Sequence, residues 1–320
     1  MKKSIQINIL PVGKGDCIHI RLLDETGNYN IIIDSGPIAA ARSFRDLLQK
    51  IDDNDEQVDL LCFTHIDDDH IGAATRVFAD ESFDCSYIKT VWLNYYLDDN
   101  VSQEIEASGF SGMGEMSVSN MLDLYRYLVL HQVKSETDII SGCSLPMGTG
   151  SLKVMTPSKV DHEAYRNYIK EKLEHQKMST TDRSETNGDS ISLLLCFDTE
   201  SFLFTGDIHP DKLSEGLKSG IDKPIYCAQL PHHGSHRNIT PELLQQMDTT
   251  RFIVSYDGSA DKPSVKTIRL LEEYRPNDKK VLMGDFRLFH TINDPDHLSF
   301  SDLTEAPFSD QEGIIVKSEV

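Results

Sequence analysis

Thr64-His65-Ile66-Asp67-Asp68-Asp69-His70-Ile71-Gly72 follows directly on the apolar run Val58 to Phe63. A short continuous apolar run is what a strand covered on both faces requires. The polar cluster behind it places four candidate ligands, His65, Asp67, Asp69 and His70, within six residues. Imidazole and carboxylate both bind zinc and other first-row divalent cations. Along an extended loop, residues 65, 67 and 69 project the same way. Asp69 and His70 then diverge where a helix over 71–78 begins, which suits two adjacent ions.

Working outward, Ser4 to Leu10 alternates apolar and polar residues and turns at Pro11-Val12-Gly13-Lys14-Gly15-Asp16. Strand-like runs follow at Cys17 to Leu23 and Tyr29 to Ile33, separated by the turn signal Glu25-Thr26-Gly27-Asn28. These three runs read as an antiparallel meander. A helix is expected over 39–51 and a further buried strand over 87–93. The composition changes between Asn94 and Glu185, with a helical segment at 120–131, a β pair around 142–155 and a polar, helix-prone run over 162–186. That segment reads as an insertion or lid over residues 94–185. Strand periodicity returns at 191–197 and 202–205. Helices (210–218, 241–247, 264–274) then alternate with strands (225–230, 251–255, 280–283). Strands first, then strand–helix alternation, suit an α/β four-layer αββα sandwich. The expectation is one domain over residues 1–320, with 276–320 as a C-terminal extension.

Two later segments repeat the pattern of an apolar run ending on a polar residue. Phe202-Leu203-Phe204-Thr205-Gly206-Asp207 ends on Asp207, and Ala228-Gln229-Leu230-Pro231-His232-His233-Gly234-Ser235 ends on paired histidines. Ligands collect at one edge of a sheet in this way. With the first cluster they supply enough donors for a dinuclear site.

These blocks together resemble the metallo-β-lactamase superfamily, and more narrowly the hydrolase domain of ComEC-type competence proteins. The resemblance rests on Pro11 to Asp16, Ile33-Asp34-Ser35-Gly36, the His65-x-Asp67-x-Asp69-His70 motif, Asn187-Gly188-Asp189-Ser190 leading into Phe204-Thr205-Gly206-Asp207, and Pro231-His232-His233-Gly234-Ser235. It spans roughly residues 4–100 and 185–275. It implies metal ligation by His65, Asp67, Asp69, His70, Asp207 and one of the paired histidines, assigned to His232. Asp207 is then the carboxylate shared by two ions, Zn2+ or Mn2+. Asp67, where most of the superfamily has histidine, adds an oxygen donor that favours manganese as a competitor to zinc. Asp69, Asp207 and His233 are the candidate catalytic residues. Lys14, Ser235 and Lys262 are the candidate substrate contacts, Lys262 standing where many relatives carry a late histidine.

The implied chemistry is hydrolysis through water acidified by two divalent ions. The substrate is expected to be a phosphodiester, either DNA or a small nucleotide. The composition narrows this. Thirty-one basic against fifty-two acidic residues give a net charge of −21, so the surface as a whole repels a polyanion. A small or partner-delivered phosphoester fits better than freely bound DNA. A hydrolase of another ester class and a metal-stabilised, non-catalytic subunit of a defence or DNA-uptake complex, with protein partners, are the alternatives. No G-x-S-x-G elbow or P-loop spacing occurs. The six cysteines form no CxxC pair, which points to reduced thiols. No apolar stretch suggests a signal peptide or membrane span, so the expected location is cytoplasmic.

Overall fold

A computed structural model describes residues 3–13, 15–96, 117–174, 184–218, 220–255, 262–278 and 280–283. The first sheet runs in the order β1 (Ser4–Ile9), β2 (Ile18–Asp24), β3 (Gly27–Ile33), β4 (Val58–Phe63), β5 (Val91–Leu93), β6 (Ser135–Glu136). Its first three strands form the expected antiparallel meander. β3, β4 and β5 then pair in parallel. The second sheet contains β7 (Ser144–Met147), β8 (Gly150–Thr156), β9 (Ser192–Phe197), β10 (Glu200–Phe204), β11 (Ile225–Gln229), β12 (Arg251–Ile253) and β13 (Val281–Met283), arranged in reverse sequence order. β7 to β10 pair antiparallel, and β10 to β13 pair in parallel.

The period-two alternation of the strands sorts their side chains into three apolar layers. Ile18, Ile20, Ile31, Ile33, Leu60 and Cys62 of the first sheet meet Leu193, Leu195, Phe202, Phe204 and Ile253 of the second in the central layer. The intervening residues face outward. Ile32, Leu61 and Phe63 lie beneath α1 (Ala41–Asp53), α2 (Asp68–Phe78), α3 (Ser117–Leu130) and α4 (Lys159–Glu174). Leu194, Leu203, Ala228 and Phe252 lie beneath α6 (Pro210–Leu217), α7 (Pro241–Met247) and α8 (Val265–Glu273); a short α5 (Ser184–Gly188) precedes β9. Each fully buried side chain of this kind contributes roughly 1.5–3 kcal/mol. Helices therefore cover both outer faces of two packed sheets, which is the expected αββα order.

Some boundaries differ from the sequence reading. α2 starts at Asp68, three residues before the expected start at Ile71. Asp67 is its N-cap, and Asp68 and Asp69 occupy the first turn, where the helix dipole favours negative charge. The run over 87–93 is regular only at Val91–Leu93, preceded by an isolated bridge between Val58 and Ile88. Between 94 and 185 the described residues contribute β6 to the first sheet and β7 and β8 to the second. No helix of the described residues is long and apolar enough to cross a membrane. All six cysteines are free, and all but Cys143 are buried.

Candidate metal centre

Parallel pairing aims the ends of β3, β4, β10, β11 and β12 at one edge of the sandwich. Asp34 follows β3, the His65–His70 cluster follows β4, Asp207 follows β10, His232 and His233 follow β11, and Ser255 follows β12. Ligand sites of α/β folds gather outside the carboxyl ends of parallel strands for this reason. The two sheets touch here through Gly206. Its φ is +55°, and a Cβ at that position would lie 2.9 Å from Cβ of Thr64. Glycine lets the end of β10 approach the end of β4 this closely.

Asp207 is the hub. Its Oδ1 lies 3.5 Å from His70 Nε2 and 3.6 Å from His233 Nε2. Its Oδ2 lies 3.4 Å from His232 Nε2 and 4.0 Å from His65 Nε2. Asp67 Oδ2 is 3.9 Å from His65 Nε2, and Asp69 Oδ2 is 3.8 Å from His233 Nε2. Asp16, His70, Asp207 and His233 each offer one ligand atom, all within 4.8 Å of one another. His65, Asp67, Asp69 and His232 surround that group. Among the predicted residues, His70, Asp207 and His233 fall in the tight foursome, while His232 is the more exposed of the paired histidines.

The turn carrying the pair is strained. His232 and His233 both adopt left-handed backbone conformations, with φ of 53° and 55°. Each costs about 1–2 kcal/mol in a residue with a Cβ, and such strain persists only where neighbours fix it. Here the His232 N–H donates to Gly206 O at 3.0 Å, and the Ser235 N–H donates to His232 O at 3.0 Å. Ser235 is buried at the end of this turn, and its Oγ accepts from the Arg237 N–H. Lys262 is half-buried within electrostatic range of His232. Lys14 lies outside the described residues.

The charges are uneven. Burial opposes ionisation of Asp207, yet His233, His70 and His232 hold its carboxyl well below the ordinary range. Burial and then His70 push His65 down to about 3, so its ring is neutral. Burial likewise lowers His232, reinforced by Lys262 against the pull of Asp207. For His70, burial is outweighed by Asp34 and Asp207, which raise it well above 6.5. His233 is pushed up to about 10 because Asp207 and Asp16 outweigh its burial. The carboxylates thus favour positive charge beside the Nε2 atoms of His70 and His233.

Whether the residues fit a metal follows from their polar atoms. Nε2 of His65, Nε2 of His70, Oδ1 of Asp207 and both ring nitrogens of His233 are buried without a hydrogen-bond partner. Leaving such a group unsatisfied costs about 1–3 kcal/mol. Apart from His233 Nδ1, which faces Asp16, these atoms lie around Asp207, and imidazole and carboxylate are the donors that divalent cations take. The set fits a metal.

Two residues at this site carry roles that sequence reasoning did not assign. Asp34 accepts the Thr64 N–H at 2.7 Å and the Thr64 hydroxyl at 2.8 Å, and its Oδ2 lies 2.8 Å from His70 Nδ1. Asp16 lies 3.5 Å from His233 Nδ1. Both residues sit in sequence blocks that carry the resemblance, each at or beside a glycine turn next to a strand. That position was the available signal.

Residues 11–103 match the family model described as the metallo-beta-lactamase superfamily. Among solved structures, the metallo-beta-lactamase fold protein YhfI from Bacillus subtilis is 7% identical, with 85% of this chain and 93% of that chain covered and a TM-score of 0.45. A metallo-beta-lactamase with a HARLDQ motif from Cronobacter sakazakii is 12% identical, covering 69% of this chain and 76% of that one, with a TM-score of 0.35. A diphosphatase of the PhnP family is 11% identical, covering 79% and 85%, with a TM-score of 0.40. No curated protein matches the chain. The two-sheet, helix-flanked architecture is the αββα sandwich that the resemblance to this superfamily implies.

Proposed function

We infer that this chain, whose residues 11–103 match the metallo-beta-lactamase superfamily, is a metal-dependent hydrolase, and we propose that it cleaves phosphodiesters. The observation that carries the reading is the hub at Asp207, where buried imidazole and carboxylate atoms without hydrogen-bond partners face one another. His65, Asp67, Asp69, His70, Asp207 and one of the paired histidines are the residues that would hold two divalent cations, Zn2+ or Mn2+. Bound there, such ions acidify water and offset charge developing on substrate oxygens.

The chain's own residues divide the remaining work. Burial opposes ionisation of Asp69, but its contact with His233 and the nearby His70 hold its carboxyl low, so it stays an acceptor. Its side chain is 23% exposed, which suits it to orient a water at the mouth of the site. His232 is the other side chain here open to solvent, 27% exposed, and it faces Asp207 and Lys262. In this reading Lys262 supplies the point charge that a phosphate oxygen needs, and His232 stands beside the leaving oxygen. The ComEC-type reading rests on the five ordered sequence blocks, with Asp67 as the competence-type variant of the motif. A net charge of −21 favours a small nucleotide or a strand handed over by a partner over free DNA.

The test is turnover of bis-p-nitrophenyl phosphate with zinc or manganese, with metal content measured by mass spectrometry. Bound metal with turnover lost in His65→Ala supports the reading. Bound metal with no turnover of any phosphodiester redirects it to another ester class or to a structural role.

A further inference from the structure

His70 and His233 are placed alike. Each ring directs Nε2 at Oδ1 of Asp207, at 3.5 and 3.6 Å, and each turns Nδ1 towards a second buried carboxylate. For His70 that carboxylate is Asp34; for His233 it is Asp16. Asp16 lies in the loop between β1 and β2 and is fully buried, with donors from the far end of the chain arranged around it. Gln229, the last residue of β11, donates from Nε2 to Asp16 Oδ2 at 2.8 Å. Ser255, just past β12, donates its hydroxyl to Asp16 Oδ1. The Gln229 amide oxygen in turn accepts the Thr205 N–H at 2.9 Å and the Gly206 N–H at 3.3 Å, immediately before Asp207.

We propose that Asp16 is a positioning residue that holds the His233 ring with Nδ1–H towards itself and Nε2 towards Asp207 and Asp69. This rests on the reading of the site as a metal centre. Both oxygens of Asp16 are already engaged by Gln229 and Ser255, so the carboxylate is fixed before His233 meets it. Its separation of 3.5 Å from Nδ1 makes the contact electrostatic, longer than the 2.8 Å of the Asp34–His70 pair. A carboxylate facing the far nitrogen of a ligating imidazole sets its tautomer and orientation. Of the paired histidines, His233 is therefore the oriented ligand. Gln229 extends the same frame to the turn that presents Asp207, so one network aligns two ligands from adjacent strands.

The experiment is a zinc titration by chelator competition on the full chain, comparing Asp16→Asn, His233→Ala and the double variant. Asp16→Asn is expected to weaken zinc binding roughly 10- to 100-fold, and the double variant to bind no more weakly than His233→Ala alone. Losses that multiply in the double variant would show that Asp16 binds the ion itself, and an unchanged affinity in Asp16→Asn would show that it does nothing; either overturns the proposal. If Asp16→Asn fails to fold, Ser255→Ala decides, with a several-fold loss of zinc affinity expected and no loss overturning the proposal. Nitrogen-15 spectra of the zinc-loaded wild-type protein should show His233 protonated at Nδ1, and the opposite tautomer overturns it too. A wild-type chain that binds no zinc removes the metal-centre reading itself, whereas multiplying losses in a zinc-binding protein remove only the role of Asp16.

Discussion

Nδ1 of His70 lies 2.8 Å from Oδ2 of Asp34, and the other nitrogen of the same ring faces Asp207. The imidazole is held from behind by one strand end and presented to another. Asp34 closes β3, His70 lies in the first turns of α2, and Asp207 follows β10 in the opposite sheet. The contact therefore joins the two halves of the sandwich at one buried ring. Because Asp34 also accepts both the backbone N–H and the hydroxyl of Thr64, the residue before His65 is fixed by the same carboxylate.

Replacing Asp34 by Asn tests that arrangement. The amide keeps one acceptor for Thr64 but turns an NH2 group towards His70 Nδ1. That nitrogen must then accept, which places the ring proton on Nε2, where a metal would bind. Zinc affinity is expected to fall at least roughly 10- to 100-fold, with a stability cost of about 1–3 kcal/mol. Chelator competition and thermal denaturation measure the two effects. Undiminished zinc binding in this variant would mean that Asp34 does not set the orientation of His70.

Asp207 touches four imidazoles, so its removal should cost more than any single histidine. In the wild-type chain, free zinc at about 100 times its Kd should stabilise the fold by about 2.7 kcal/mol, and a chelator should reverse the gain. Asp207→Ala should show neither the gain nor its reversal. Differential scanning calorimetry with and without zinc reads this directly. A zinc-dependent shift that survives in Asp207→Ala would place the ion elsewhere.

The fold was largely legible because the strands alternate cleanly and their burial follows the alternation, as in Leu193, Leu194 and Leu195 facing two different layers. The cluster after β4 was equally open to reading, since its donors are neighbours in sequence. Asp16 was not, because the groups that define it, Gln229 and Ser255, lie 213 and 239 positions away. Nothing local separates a buried aspartate from one that merely shapes a turn. The early start of α2 was hidden for a different reason. Three consecutive aspartates resemble a solvated loop, but at a helix N-terminus they meet the dipole, Asp67 as the N-cap and Asp68 and Asp69 in the first turn. The segment over 94–185 reads as an insertion because β7 is short and partly polar, while β9, with which β8 pairs, comes after an intervening helical stretch.

Gly15 holds the Asp16 loop against α2. Its φ is +105°, and a Cβ there would come 1.8 Å from the backbone oxygen of Asp69. Gly142 has a similar φ of +98° but nothing within 4 Å of its Cβ position. Gly142→Ala should therefore cost only backbone strain, about 1–2 kcal/mol. Gly15→Ala adds a clash with rigid backbone and should cost about 3 kcal/mol or more, with zinc binding weakened as Asp69 shifts. Equal denaturation midpoints for the two variants would show that the loop yields freely.

His162 offers a test of electrostatics away from the metal centre. Its Nδ1 lies 2.9 Å from Asp189 and its Nε2 lies 3.0 Å from Asp138, which also accepts from Arg166. Burial works to lower this histidine, but the two carboxylates outweigh it and raise its pKa above the ordinary 6.5. A group whose folded-state pKa is raised gives stability that is full below its unfolded value and is lost as pH climbs through the folded one. The ring ties α4 to the turn before β9 and to the segment after β6, so it acts on the frame behind the site. His162→Gln should cost about 2–3 kcal/mol at pH 6.5, where two charge-assisted bonds are lost. The gap in melting temperature between wild type and variant should narrow as pH climbs above the ordinary histidine range and the wild-type imidazole gives up its proton. A gap that stays constant or widens with pH would mean that His162 is held neutral and that the two carboxylates do not act on it as a pair.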